Sequence, residues 1–288
     1  MSYARFGLMI LTSTVTMFVL MYLNTYAWEH LFFSETRVYM AMMMGASMAV
    51  IMLAYMVGMY ANARLNLAIF ISAVVVFGLT LGLVRSQVTV GGQSYMRAMI
   101  PHHSIAIMTS ERARIRDARV EKLADEIIEA QRREIAEMRF LIATLAEGDV
   151  VESVYQDPPA RPGTVEDALA NTLRSRLDLA PMTRADADRV LGVATGERCT
   201  FKRSRETDPI LWIDAAGEAA ALKLNGVLVA LEAGGEATDG SLAFRAPATT
   251  VFVRLLGEEA DWRADAELVF ALEPGPRIGY RGFYGCAG

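Results

Sequence analysis

Histidine is almost missing from this chain of 288 residues. There are three, and two are adjacent in the segment MIPHHSIAIM at residues 99–108. Cysteine is equally scarce: Cys199 and Cys286 are the whole complement, and no Cys-x-x-Cys occurs. That removes zinc-ribbon and thioredoxin-type readings. A lone pair bracketing the last segment instead predicts a disulfide in an oxidising compartment. No Glu-x-x-His pair is present, which argues against a di-iron carboxylate centre. Neither a Gly-x-Ser-x-Gly nor a Walker A sequence occurs, and the region after residue 199 has no histidine to serve as a common general base. The net charge is −5 with no concentrated basic run, so nucleic acid is not expected as a partner.

Charge itself is missing from three stretches: Phe6 to Trp28, Val38 to Ala63 and Leu65 to Val84. Each is close to the roughly 20 apolar residues that carry a helix across about 30 Å of hydrocarbon. The first apolar run is too long for a signal-peptide core, and no small-x-small cleavage site follows it. The expectation is a three-helix transmembrane anchor over residues 1–90. Arg5 and Arg64 belong on the cytoplasmic side, and the net-acidic loop WEHLFFSETR on the other. That puts everything after Arg85 in the periplasm of a cell whose inner membrane holds the anchor.

What is abundant is methionine, 17 residues in a chain that is 53% hydrophobic. After Gly91 and Gly92, helical spacing predicts one helix from about Ser94 to Ala113 and a longer one from about Ala118 to Glu147. The short polar connection between them makes an antiparallel hairpin over residues 91–147. Residues 148–198 read as a linker. It carries two short helices, opened by Thr164 with Asp167 and by Thr183 with Asp186. From Cys199 to Gly288, short β-branched and aromatic runs between Gly, Asp and Pro turns predict a small antiparallel β domain.

At about 100° per residue, Met96, Met99, His102 and His103 fall on one face of the first hairpin helix, with Ala106 between them and Met108 roughly opposite. Pro101 lacks an N–H for the carbonyl of Arg97, so the helix either kinks or starts there. On the second helix Ile127, Gln131, Glu134 and Met138 share a face that a hairpin would bring level with the first. Thioether sulfur favours Cu(I) and its heavier analogue Ag(I), and imidazole serves copper well. Spacing alone also allows the blander reading, in which the methionines fill a core and the histidines are a solvated patch.

The segment from Tyr95 to Leu145 combines Met-Ile-Pro-His-His and Ala-Ile with Gln-x-x-Glu-Ile-x-x-Met on the second helix. In this it resembles a bacterial ferritin-like family catalogued as domain of unknown function 305, whose members include periplasmic copper-tolerance proteins. The resemblance covers about 50 residues. It implies metal-associated positions at Met99, His102, His103, Met108, Gln131, Glu134 and Met138. The membrane prefix, with YLNTYAWEH and FFSETRVYM, also resembles that of membrane-anchored members. Where relatives often carry an acidic residue, three positions before Tyr95, this chain has Gly92.

Three further features have bland readings. Met40, Met44, Met48, Met52 and Met56 form a stripe that reads as lipid-facing or helix-packing methionine rather than a sulfur track. Glu29, His30 and Glu35 read as a solvated polar loop rather than an entry ligand set. Glu126, Glu129, Arg132, Arg133 and Glu137 read as a charged outer face. The expected protein is thus a membrane-anchored, periplasm-facing copper(I) or silver binder that sequesters or hands over metal and is not an enzyme. Met99, His102 and His103 are the main ligands, Met96, Met138 and Met108 support them, and Gln131 and Glu134 stand behind. An isolated hairpin exposes too much apolar surface, so it pairs with a second copy or docks on its own C-terminal domain. A periplasmic metal-handling or envelope partner would receive the metal. The alternatives are an envelope scaffold or sensor whose β domain binds a protein or wall component, and a copper-dependent redox enzyme.

Overall fold

Three capped helices open the chain in the computed structural model. Its described residues are 2–159, 162–164, 170–173, 176–193, 196–236 and 241–287. The helices are α1 (Tyr3–Leu20), α2 (Glu35–Met56) and α3 (Ala63–Ser86). A side-chain oxygen of Ser2, Ser34 or Asn62 accepts a backbone N–H in the first turn of each, relieving one of the donors a helix start leaves unpaired. All three are long and apolar enough to cross a membrane. The first ends at Leu20, eight residues before its uncharged stretch does, because the chain turns over residues 21–24.

Close approach of helices needs small residues where there is no hydrophobic drive between them. Four of the five buried positions of α2 are small, Ala41, Gly45, Ala46 and Ala49 beside Leu53, and a Cβ on Gly45 would clash with Oγ1 of Thr14 on α1. Met52 and Met56 of the stripe pack on a cluster of Phe6, Ala49, Leu53, Tyr60 and Ala73, while Met40 is exposed. At that end Tyr3 donates its hydroxyl to Oδ1 of Asn66 at 2.8 Å, and Asn66 donates to the Tyr60 carbonyl at 3.1 Å.

The next helices are α4 (Gly92–Arg112) and α5 (Ala118–Ala146). Pro101 lies inside α4, nine residues beyond its start, so the proline does not begin this helix. The chain divides into two compact units, Met1–Gln131 and Arg132–Gly288, and the division falls within α5.

The second unit is built on an eight-stranded antiparallel barrel. Its strands are β2 (Arg198–Lys202), β3 (Leu211–Ile213), β4 (Ala219–Leu224), β5 (Val227–Glu236), β6 (Leu242–Ala246), β7 (Thr249–Leu255), β8 (Ala266–Leu272) and β9 (Arg277–Ala287). Each pairs with the next, β4 pairs with β5 through an Asn225-Gly226 turn with both residues at positive φ, and β9 closes on β2. Closure removes the free edges that a small sheet would otherwise expose. Cys199 and Cys286 stand opposite one another on β2 and β9 and are disulfide-bonded, as expected. A short strand, β1 (Leu179–Ala180), extends β4 past the end of β3.

The segment read as linker therefore contributes to this unit: Leu177 and Leu179 belong to the barrel core and Met182 is buried. Helix α6 (Arg184–Leu191) starts with the capping box expected at Thr183 and Asp186. The helix expected from Thr164 and Asp167 falls largely on residues outside those described. The C-terminal half of α5 docks on the barrel. Ala136 is part of the barrel core, Arg139 donates to the carbonyl of Arg263 at 2.6 Å, and the Phe140 ring occupies the space where Gly279 has no side chain.

Candidate metal-binding helix and its strap

Helix α4 buries Met96, Ile100, Pro101, Ser104 and Ile107, a row at spacings of three and four that forms one face of a helix. Met99 and His103, one turn apart, lie half-buried beside that row, and Nδ1 of His103 is out of reach of solvent. His102 points outward and is exposed, and its ring centroid is 6.0 Å from that of His103. Met108 is half-buried. The spacing argument that gave all four of Met96, Met99, His102 and His103 one face thus separates into a buried sulfur, a half-buried sulfur and imidazole, and an exposed imidazole.

The remaining candidates are on α5. Gln131 is half-buried and closes the first unit, while half-buried Glu134 and buried Met138 belong to the second. Among the described residues no group of three or more His, Cys, Asp or Glu could hold a metal ion. Methionine sulfur with imidazole, the donor types that α4 carries, suits a soft monovalent cation better than zinc, magnesium or calcium. The residues present fit Cu(I) or Ag(I) on these chemical grounds.

The loop between α1 and α2 is not the solvated loop expected from its charges. It is a strap across α4. Oγ of Ser104, fully buried, accepts the Tyr26 N–H at 2.8 Å and lies 2.9 Å from Nδ1 of His30. His30 is 2% exposed and Glu29 5%, with Oε1 of Glu29 3.8 Å from Nε2 of His30. Above and below, Ser94 donates to Oε1 of Glu35 at 2.8 Å, and the Tyr26 hydroxyl donates to Oε1 of Glu111 at 3.1 Å. A buried polar group costs free energy unless it is hydrogen-bonded, and the serine directly after the histidine pair supplies that bond. Sequence reasoning missed Ser104 altogether. The available signal was a lone hydroxyl at spacing four from Ile100 and eight from Met96, on the apolar face of a helix.

In the second unit, burial pushes the Glu137 carboxyl up from its ordinary range, against the opposing pull of Arg133. Burial also pushes the Tyr280 hydroxyl up to about 12, although the Arg203 guanidinium, 5.7 Å from its ring, works the other way. Glu137 is thus not part of a solvated outer face.

Comparisons with known proteins fall on both units. The model of the family described as Domain of unknown function (DUF6692) matches residues 143–288, half of the chain. That of Domain of unknown function (DUF305), the family which the Met-Ile-Pro-His-His segment resembles, matches residues 92–190. The chain is 39% identical over 61 residues to "Uncharacterized protein L153" of Acanthamoeba polyphaga mimivirus. That alignment covers 20% of this chain and 40% of the relative, so the chain spans well under half of the relative's length. No solved structure matches the chain.

Proposed function

This chain belongs to the family described as Domain of unknown function (DUF6692), whose match lies beyond α4; for the whole chain we propose a membrane-anchored protein that binds Cu(I) or Ag(I) on α4. The observation that carries the reading is the pair Met99 and His103, one helical turn apart and half-buried beside Met96, on a helix held by a buried hydrogen-bonded strap. Fixed donors lose less freedom on binding than mobile ones do. The match to the DUF305 model covers α4, the helix on which this reading rests.

In this proposal α1, α2 and α3 span the bacterial inner membrane with the N-terminus inside. Arg5 and the Arg64 loop then share the cytoplasmic side, and the disulfide of the barrel lies in the oxidising periplasm. Sequestration or hand-over of the ion needs no catalytic group. Val120 and Leu123 are exposed on the first half of α5, which supports a ferritin-like pairing of this region with a second copy.

The test is a Cu(I) competition titration of the full chain in detergent. Replacing Met99, His102 and His103 together with alanine abolishes tight binding, and equal affinity of the two proteins refutes the assignment. The single changes separate the two imidazoles. His103→Ala costs at least about tenfold in affinity, the scale on which metal sites respond to loss of supporting groups, and exposed His102→Ala costs less.

A further inference from the structure

The strap over α4 has a second surface. Where α1 stops at Leu20, the apolar chain that follows forms an open cavity of about 660 Å³. Its walls include Phe18, Tyr22, Tyr26, Trp28, Leu31 and Phe33. That volume is within the roughly 300–1,000 Å³ typical of small-molecule sites. Phe18 anchors one side, edge-on to Tyr22 at 5.5 Å and tilted against Phe33 at 6.3 Å. Leu23, Trp28 and Phe33 are largely exposed, Trp28 at 78%. So much exposed apolar surface marks a place of contact, and tryptophan and tyrosine at the end of a spanning helix are typical of the headgroup boundary.

A cation stands beside this cavity. The Arg37 guanidinium lies 4.3 Å over the Tyr22 ring and donates from Nη1 to the Met21 carbonyl at 2.6 Å. Its side chain is half-buried, and among the described residues no carboxylate forms an ion pair with it. Arginine with free N–H donors is the side chain best suited to hold a phosphate. An apolar cavity and a cation lacking a counter-charge, side by side where α1 ends and α2 begins, complement one molecule: a lipid with a greasy chain and an anionic head.

We propose that this cavity is a binding site for an anionic phospholipid, with one acyl chain among Phe18, Tyr22, Trp28 and Phe33 and the headgroup phosphate on Arg37. The assignment rests on the membrane anchoring proposed above and not on metal binding. The cavity wall is the same strap that holds α4, since Tyr26 lines the cavity while its N–H and hydroxyl reach Ser104 and Glu111.

The experiment uses the full chain in phosphatidylcholine nanodiscs. These carry a small fraction of either phosphatidylglycerol or phosphatidylcholine with a photoactivatable diazirine on the acyl chain, and labelled peptides are mapped by mass spectrometry. The expected result is that phosphatidylglycerol labels residues 18–33 about fivefold more than phosphatidylcholine does, in line with the attraction of one interfacial cation for an anionic lipid. Arg37→Gln makes the two lipids equal, and Arg37→Lys keeps the preference. Ala27→Trp, which fills the cavity, lowers labelling there by both. Equal labelling of 18–33 by the two lipids, unchanged in Arg37→Gln, overturns the site while α3 remains labelled. If the exposed residues of α3, Val74 and Leu79 among them, are not labelled either, the membrane anchoring fails and the lipid site with it.

Discussion

Nδ1 of His30, in the loop between two apolar helices, stands 2.9 Å from Oγ of Ser104, 74 residues later on α4. Both are buried, and the Tyr26 N–H shares the same hydroxyl. Ser104→Ala therefore removes one hydrogen-bond partner from the buried His30 ring and one from the half-buried Tyr26 amide. The expected loss is about 1–3 kcal/mol, the scale of removing hydrogen bonds from groups shielded from water. Hydrogen exchange checks it directly: the Tyr26 amide loses protection in the variant. An unchanged Tyr26 amide rules out the strap.

Gly279 on β9 has no Cβ where Phe140 of α5 packs, and one built there would meet the ring at 2.3 Å. Gly279→Ala must displace the Phe140 ring from its place on the barrel, and overpacking of this kind costs typically about 1–3 kcal/mol. Phe140→Ala in the same chain relieves the clash. The two changes are thus expected to be non-additive in chemical denaturation of the second unit. Simple additivity would mean that helix and strand do not meet.

The bond between Cys199 and Cys286 closes a separation of 87 residues, nearly the entire barrel. Replacing both with serine removes a constraint on the unfolded chain, and loss of a native disulfide typically costs about 2–5 kcal/mol. Denaturant titration with and without reductant measures it. In the serine variant the reductant has no further effect.

The Glu137 carboxyl has its pKa raised in the folded state, first by burial. The folded protein then holds its proton at pH values where the unfolded chain has released it, so stability falls as pH rises out of the ordinary carboxylate range. Glu137→Gln removes that dependence. The melting temperature of the variant relative to the unaltered chain is expected to rise from about pH 4 to pH 7, the reverse of what a salt-bridged carboxylate gives. A flat difference across this range contradicts the burial of the charge.

Much of the fold was legible without coordinates because it depends on local composition. Absence of charge over 20 or more residues marks the apolar helices whatever they pack against. Helical period marked α4 and α5 to within two residues at each end, and Thr183 with Asp186 marked α6 because a capping box is satisfied within one turn. The disulfide followed from there being only two cysteines.

Contacts between distant segments were not legible. His30 and Glu29 read as loop residues because charge near a helix end is normally solvated, and no local pattern tells a buried hydrogen bond to residue 104 from a bond to water. The end of α1 at Leu20 was hidden for a related reason, since hydropathy counts the residues of a cavity wall and those of a spanning helix alike. Sequence by itself therefore determined which segments are apolar helices, which are strands and where a soft-donor motif lies. Tertiary structure alone decided which face of that motif is buried, which histidine is exposed, and that a loop and an arginine at the end of α1 form a strap and a cavity, because those depend on packing between residues far apart in the chain.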